Sequence, residues 1–330
     1  MTLAGVAAEA GVSVSAVSKV LLGGGGQTTK VGAVSAARIR ESARRLGYFP
    51  NVAARQLRTG RSRIVGAIIH TQAPQVHYVR FAKIQQRLAA LGYGFMIGQC
   101  EGDADAIMRY LRDFRSRQAD VIVSDQYEMP GQDQRLREVY SAFENVLFLG
   151  QPRFQRAACV RSDTAAGIAS LVAHLARQGI RRLALDVLDK YYTPVRLRIA
   201  GYREGLKAAG MAPDNDLLIE SAGPIDDVSE LLNGALRLKA EAVIASNDLR
   251  ALMLVKALHG HGLHVPRDMR VTGFDNMAFS PYTSPALTTI DTRDDQIADA
   301  VVAMIRHYLE HRRFPENRVV APELVVRETA

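Results

Sequence analysis

The stretch GVSVSAVSKVLL, residues 11–22, decides the first part of the fold. Gly11 interrupts an apolar pattern and supplies the backbone freedom that a tight turn between two helices needs. Ser13 is a good N-cap for the next helix, in which Val17 and Leu21 face inward. Two short helices joined by such a turn indicate a helix-turn-helix, whose second helix enters the major groove of DNA.

The outward face of that second helix carries the candidate base-reading side chains. Val14, Ser15, Ser18 and Lys19 lie near its N-terminal end, where a recognition helix presents side chains to base edges. Small side chains permit close approach, and Lys19 can reach a guanine edge or a phosphate. Thr2 is predicted to cap the preceding helix, and we include it among the predicted DNA contacts.

Two further segments complete the N-terminal region. The run Gly23–Gly26 is a flexible linker rather than a phosphate-binding loop, because no strand precedes it and no Gly-Lys-Ser/Thr follows. Ser35 is predicted to cap a third helix with Ile39 and Ala43 on its inner face. Asn51 then begins a helix of about two turns, which is marginal in isolation and suited to form only when docked.

The charge distribution separates this region from the rest of the chain. The protein has 330 residues and a net charge of +8. Residues 1–60 hold eight Lys and Arg against two Glu, whereas the other 270 residues hold 34 against 32. A basic region on a nearly neutral remainder suggests a polyanion partner for that region alone, although a solvated basic face is the plain alternative.

The composition also predicts where the protein works. Its two cysteines, Cys100 and Cys159, have no metal or redox spacing and suggest a reducing compartment. No apolar run approaches the ~18–20 residues that span a bilayer. The N-terminus lacks the basic flank and apolar segment of a secretory signal. We therefore expect a cytoplasmic protein with no membrane partner.

After residue 61, short apolar strands alternate with amphipathic helices. This alternation predicts parallel sheets with helices on both faces, and ligands in such folds bind beyond the carboxyl ends of the strands. The predicted strands are 64–69, 95–98, 121–123, 146–149, 183–187, 217–220, 242–246 and 270–274. The predicted helices are 79–91, 105–117, 133–142, 164–178, 195–209, 226–238 and 249–261.

Polar side chains at the strand ends are the candidate ligand contacts. His70, Gln72, Asp125, Asn247 and Asp275 follow apolar strands and suit hydroxyl-rich ligands such as sugars. Each of these residues could instead be a helix N-cap with no ligand contact. Capping and ligand contact are equally open for Asp248, which precedes the helix ALMLVKAL.

The N-terminal region resembles the DNA-binding part of the lactose-repressor/galactose-repressor (LacI/GalR) family. The matching segments are TLAGVAAEAGVSVSAVSKVL and VSAARIRESARRLGYFPNVAARQLRTGRS. The resemblance implies that Val14, Ser15 and Lys19 read bases, and that Asn51, Ala54 and Leu57 belong to a hinge helix. It also implies that Leu57 wedges into a minor-groove step and kinks the DNA.

The remainder resembles the effector domain of the same family, which is similar to periplasmic sugar-binding proteins. Three segments carry the likeness: LRIAGYREGL, IASNDLRAL and VTGFDNMAFSPYTSPALTTI. The resemblance implies that Arg198, Asn247 and Asp275 are the polar contacts of a small effector. Weaker candidates are Asp125, Tyr127, Tyr191 and Phe279. HTQAPQVHY replaces the usual Asp-x-x-Asn-Pro-Phe, leaving His70, Gln72 and Tyr78 as candidates there.

The resemblance also implies the domain organisation. The DNA-binding domain would be 1–49, the hinge helix and linker 50–61, and the effector-binding and dimerisation domain 62–330. The N-lobe would comprise about 62–161 plus 292–320, and the C-lobe about 162–289 plus 321–330. We expect a homodimer on a pseudo-palindromic operator, because no heptad extension follows LVVRETA.

Other function classes have weaker support. No nucleophile elbow, zinc-protease motif or dinucleotide-binding glycine motif is present, so we expect neither an enzyme nor a cofactor. His259, His261 and His264 could suggest a metal, but their position at a helix end and in a loop favours a solvated loop, and we predict no metal site. The alternative to a regulator is a sugar-binding protein without DNA function.

Overall fold

The computed structural model describes residues 2–22, 31–49, 60–153, 157–221 and 225–330. The chain forms two compact units: Met1–Arg63 with Arg117–Asp120, here called the head, and Ile64–Ser116 with Val121–Ala330, here called the body. The predicted hinge contacts Asn51, Ala54 and Leu57, and the Gly23–Gly26 linker, lie outside the described residues.

Three helices build the described part of the head: α1 (Leu3–Ala10), α2 (Val14–Leu22) and α3 (Ala33–Arg45). Thr2 caps α1, since its Oγ1 accepts a hydrogen bond of 3.2 Å from the Gly5 amide. Gly11 ends α1 at φ 60°, in the left-handed region that favours glycine. These local features produce the predicted turn between α1 and α2.

The predicted inner faces of the three helices meet in one small core. Its buried members are Val6, Ala7, Ala10, Val17, Ile39 and Ala43. One detail of the sequence interpretation is wrong: α3 begins at Ala33, after Gly32 in extended conformation, so Ser35 lies in the first turn and does not cap it. Within the described ranges no single helix is long and apolar enough to cross a membrane; α1 and α2 pass such a test only as a pair bent by 110°.

The body contains the other helices and all of the strands that the structure describes. Its helices are α4 (Gln75–Ala90), α5 (Ala104–Ser116), α6 (Asp133–Ser141), α7 (Thr164–Arg177), α8 (Thr193–Ala208), α9 (Ser229–Arg237), α10 (Asp248–Gly260) and α11 (Asp294–His311). Its strands are β1 (Ile64–His70), β2 (Gly94–Cys100), β3 (Val121–Ser124), β4 (Val146–Phe148), β5 (Ala158–Ser162), β6 (Leu183–Val187), β7 (Leu218–Glu220), β8 (Ala242–Ile244), β9 (Arg270–Thr272), β10 (Thr289–Asp291), β11 (Arg318–Val320) and β12 (Glu323–Val325).

Two parallel sheets divide the body into two lobes. The N-lobe sheet has the strand order β11-β5-β4-β3-β1-β2, and the C-lobe sheet has the order β7-β6-β8-β9. The chain passes from one lobe to the other after β5, after β10 and after β11. At these crossings β10 and β12 pair in an antiparallel two-stranded ribbon. The α/β two-lobed fold predicted from the alternating pattern is therefore present.

The structure adds elements that the sequence interpretation omits. The sequence prediction contains no strand at β5, β10, β11 or β12 and no helix at α11, whereas the structure has all five elements. Three of these strands have only three residues, too few for an apolar alternation to appear. The helix α11 belongs to the N-lobe, where Ile297, Val301 and Ile305 pack in the same core as β1 and β3.

Close packing between α7 and α8 fixes the helix that carries Arg198. A Cβ atom at Gly201 would lie 2.2 Å from the carbonyl oxygen of Ala165, so only glycine permits this approach. One turn before Gly201, Arg198 is thereby held at the inner face of the C-lobe.

Candidate functional site

A cavity of about 860 Å³ lies between the two lobes of the body. This volume suits a drug-sized or sugar-sized ligand. Seven of the nine predicted effector contacts line it: His70, Gln72, Asp125, Tyr127, Arg198, Asn247 and Asp275. They converge because the carboxyl ends of β1, β3, β8 and β9 face the cleft, as expected for parallel sheets.

Arg198 and Asp275 form the charged centre of the C-lobe wall. The Arg198 guanidinium carbon lies 4.7 Å from the centroid of the Phe274 ring, in a cation–π arrangement. Its Nε is buried and has no hydrogen-bond partner among the described residues. Because buried polar groups are nearly always hydrogen-bonded, this atom indicates a partner supplied by a ligand.

The Asp275 carboxyl titrates in an unusual range. Burial raises its pKa from the usual 3.8 to about 7, although the Arg198 guanidinium opposes that rise. The backbone of Asp275 is held in place by its own amide, which donates a hydrogen bond of 2.8 Å to the Ile290 carbonyl. Near neutral pH this carboxyl can therefore either accept or donate a hydrogen bond, which suits a ligand hydroxyl.

The sequence left open whether Asn247 or Asp248 caps the following helix, and the structure assigns the cap to Asn247. Asn247 caps α10, since its Oδ1 accepts from the Arg250 amide at 2.9 Å, and its amide NH₂ remains for a ligand. Asp248 is fully buried and does not cap the helix. Instead it accepts from the Met277 amide at 2.7 Å and from the hydroxyl of Thr289.

The N-lobe wall is built around β1 and the start of α4. His70 accepts from the Gln72 amide at 3.0 Å through Nδ1, so its Nε2 is the protonated nitrogen and a possible donor. Asp125, after β3, pairs with His77 through Nδ1 in a short contact. This bond orients the His77 imidazole. The sequence interpretation did not identify His77 as the partner of Asp125, because the two residues are 48 positions apart.

Tyr127 lies deep in the N-lobe wall and is nearly fully buried. Its ring packs against Gly150 so closely that a Cβ atom there would overlap the phenol. Burial raises the pKa of the Tyr127 phenol far above its usual value, so the hydroxyl stays protonated and can donate a hydrogen bond.

Two predicted effector contacts, Tyr191 and Phe279, do not line the cavity. The Tyr191 hydroxyl donates to the Met129 carbonyl at 2.5 Å, while the neighbouring Tyr192 lines the cavity in its place. Phe279 immediately precedes a 3₁₀ turn, Ser280–Tyr282. Tyr78 also lies outside the lining, and its hydroxyl donates to the His70 and Thr71 carbonyls at 3.1 and 2.9 Å.

A polar cluster joins the two lobes beside the cavity. We call it the interlobe clasp, and it consists of Glu128, Asp133, Arg153, Tyr191 and Thr193. Glu128 is buried and accepts from the Thr193 amide at 2.8 Å and from Arg153 Nε at 3.2 Å. Arg153 also lies over the Tyr191 ring, 4.4 Å from its centroid. The clasp holds the lobes in the arrangement that encloses the cavity.

A buried ion pair supports the C-lobe wall from below. Arg250 and Asp186 are both fully buried, with Arg250 Nε 2.7 Å from Asp186 Oδ2. The same guanidinium donates to the carbonyls of Ile225 and Asp227 at 3.0 and 2.8 Å. Arg250 thus ties the loop that carries Ile225, which lines the cavity, to β6 and α10.

The predicted base-reading residues sit on the outer side of α2. Val14 has 46% of its surface exposed although it is apolar, whereas Val17 is fully buried. Ser15 is exposed, and Ser18 and Lys19 are partly buried. Thr2 is exposed and its hydroxyl caps α1.

Metal ligation has no geometric support in the described part of the chain. No group of three or more His, Cys, Asp or Glu residues there could hold a metal ion. The rings of His259 and His264 lie edge to face with their centroids 5.7 Å apart, and His261 Nδ1 contacts the Ala257 carbonyl at 3.0 Å.

Comparison with known proteins gives matches to transcriptional regulators. A family model described as a periplasmic binding protein-like domain matches residues 172–330. The ribose operon repressor of Escherichia coli (strain K12) is 26% identical over 100% of this chain and 99% of its own. The regulator DegA of Bacillus subtilis (strain 168) is 26% identical over 99% of this chain and 97% of its own.

The solved structures agree with these relatives. The lac repressor dimer bound to operator and the anti-inducer ONPF superposes with a TM-score of 0.81 at 25% identity, covering 100% of this chain and 98% of that one. A complex of the transcriptional regulator CelR with cellobiose shares the fold, with a TM-score of 0.71 at 22% identity and full coverage of both chains. With its helix-turn-helix head, its two-lobed body and these full-length matches, the chain is similar to transcriptional regulators of the LacI/GalR family.

Proposed function

We propose that this protein is a sequence-specific DNA-binding regulator whose affinity for its operator is controlled by a small polyhydroxylated effector, with repression as the usual mode of the family. The segments 1–49, 50–61 and 62–330 are its DNA-binding, hinge and effector-binding parts in this proposal. The effector binds in the interlobe cavity. The observation that carries the proposal is the Arg198–Asp275 centre, because it presents a cation, an adjustable carboxyl and an aromatic face to one cavity.

This chemistry suits a sugar or sugar derivative. Vicinal hydroxyls can accept from the buried Arg198 Nε and donate to the Asp275 carboxylate. The Asn247 amide and Tyr192, both on the cavity wall, add further polar and aromatic contacts. Similar groups recur in sugar sites, where aromatic faces pack against the apolar side of the ring.

In this proposal the head is the part of the protein that binds DNA. Two heads of a homodimer would place their α2 helices in successive major grooves of a pseudo-palindromic operator. The predicted hinge helices would then open the central minor groove through Leu57. An effector that changes the relation of the two lobes would favour or disfavour the hinge helices, with a coupling of about 1–3 kcal/mol.

The DNA part is tested by a gel shift at low salt with fragments from around the protein's own gene. We expect one fragment to compete much better than unrelated DNA of equal length, because specific contacts add to the phosphate contacts common to all DNA. Equal affinity for every fragment would refute the operator proposal.

The effector part is tested by a thermal-shift screen of sugars, sugar acids and nucleobases. A bound effector raises the unfolding temperature of the body by mass action. An Arg198→Ala variant should keep operator binding and lose the effector response, because the side chain contacts ligand and not DNA. A variant that still responds would remove Arg198 from the site.

A further inference from the structure

The interlobe cavity contains more charged groups than an uncharged sugar requires. Most of its carboxylates already pair with cations or accept hydrogen bonds within the protein. The engaged carboxylates and their partners are Asp125 with His77, Glu128 with Thr193 and Arg153, Asp189 with the Tyr191 amide, and Glu220 with Lys190.

Arg161 differs from these groups. It lies in β5 on the N-lobe side, is partly buried and lines the cavity. Within the described residues its guanidinium has no ion pair and no hydrogen bond. Five N–H donors on a partly buried side chain are costly to leave without acceptors, which indicates that a ligand supplies them.

The next residue gives a second, independent indication. Ser162 also lines the cavity, and its Oγ is buried without a hydrogen-bond partner among the described residues. Buried hydroxyls are rarely left in this state. Two adjacent donors, one charged and one neutral, therefore face the cavity at the carboxyl end of β5.

We propose that the effector is a polyhydroxylated anion, whose carboxylate or phosphate group binds Arg161 and Ser162 while its hydroxyls bind the Arg198–Asp275 centre. This inference rests on the proposed effector site and adds the charge of its ligand. A guanidinium matches the two oxygens of such an anion with two parallel hydrogen bonds, and the serine hydroxyl can donate a third. Because Arg161 belongs to the N-lobe and Arg198 to the C-lobe, one ligand would contact both lobes.

The test compares matched ligands on the full-length protein. Calorimetry or thermal shift is run with glucose, gluconate, glucuronate, glucose 6-phosphate and inorganic phosphate at low ionic strength. We expect at least one sugar anion to bind on the order of tenfold to a hundredfold more tightly than glucose, as charge-assisted bonds imply. Preference for the carboxylates over the phosphate ester, or the reverse, identifies the anionic group.

Variants separate this preference from general binding. Arg161→Gln should remove the preference for the anion and leave the affinity for glucose nearly unchanged. Arg177→Gln, on the exposed end of α7, is the matched charge control and should keep the preference. The same samples are tested for operator binding by gel shift.

Three results would overturn the inference: glucose binding as tightly as every anion, no stabilisation by any anion, or Arg161→Gln retaining the full preference. Equal binding of glucose and the anions, together with a normal gel shift, would leave the proposed function intact. Loss of operator binding as well as of all polyol binding would refute the proposed function itself.

Discussion

Replacing Arg250 by methionine tests the buried ion pair beneath the cavity. Arg250 and Asp186 have no exposed side-chain surface, and the guanidinium makes hydrogen bonds to Asp186, Ser221 and the carbonyls of Ile225 and Asp227. Methionine preserves much of the apolar volume but leaves the Asp186 carboxylate buried without its cation. Removing one partner of such a pair costs about 3–5 kcal/mol, because the remaining charge is uncompensated.

Urea unfolding at pH 7, followed by circular dichroism, measures this cost. The matched control is Arg267→Met, whose ion pair with Asp268 is at the surface and is worth at most about 1 kcal/mol. The double variant Asp186→Leu with Arg250→Met should recover much of the loss, because no buried charge remains. A loss below about 1 kcal/mol for Arg250→Met, or no recovery in the double variant, would refute the reasoning.

The remaining predictions concern the cavity, the clasp and the DNA contacts. Folded Asp275 keeps its proton to about pH 7, whereas an aspartate in the unfolded chain loses its proton near pH 3.8. The free energy of unfolding should therefore fall as the pH rises between these two values. Urea titrations at pH 5 and pH 8 should show this fall in the unmodified protein and not in Asp275→Asn. Glu128→Gln should weaken the clasp and increase the radius of gyration in solution scattering, whereas the exposed control Glu138→Gln should not; equal radii would contradict this role. Lys19→Ala should relax base preference at one position per half-site by about 1–3 kcal/mol in competition gel shifts. A change in the salt dependence of binding alone would instead make Lys19 a phosphate contact. Leu57→Ala should bind operator more weakly and bend it less, and unchanged bending would exclude a wedge.

The residues that sequence reasoning placed in the cavity were those with a local signal. Asn247 and Asp275 directly follow apolar strands, and parallel strands bring such positions to one edge. Arg198 carries the segment likeness LRIAGYREGL, and the structure places it on the same cavity. For Asn247 and Asp275 the local pattern was enough, because the fold determines where strand ends meet; Arg198, on a helix, was predicted from the family resemblance alone.

Residues that act through distant partners left no such signal. Asp186 and Arg250 are 64 positions apart, and each alone resembles an ordinary surface charge in the sequence. Tyr191 and Tyr192 are adjacent and chemically identical, so composition could not decide which one lines the cavity. In the turn before α8, Tyr192 lines the cavity, whereas the Tyr191 hydroxyl donates to the Met129 carbonyl.

The sequence by itself determined the helix-turn-helix, the alternation of strands and helices, and the basic character of the N-terminal region, because all three depend on spacing and charge within short segments. Only the tertiary structure decided the pairing of charges in the cavity. It engages Asp125 and Glu128 within the protein, and it gives neither the Arg161 guanidinium nor the Arg198 Nε an acceptor among the described residues. The physical reason is that desolvation and pairing depend on neighbours from both lobes, which the chain brings together only when it folds.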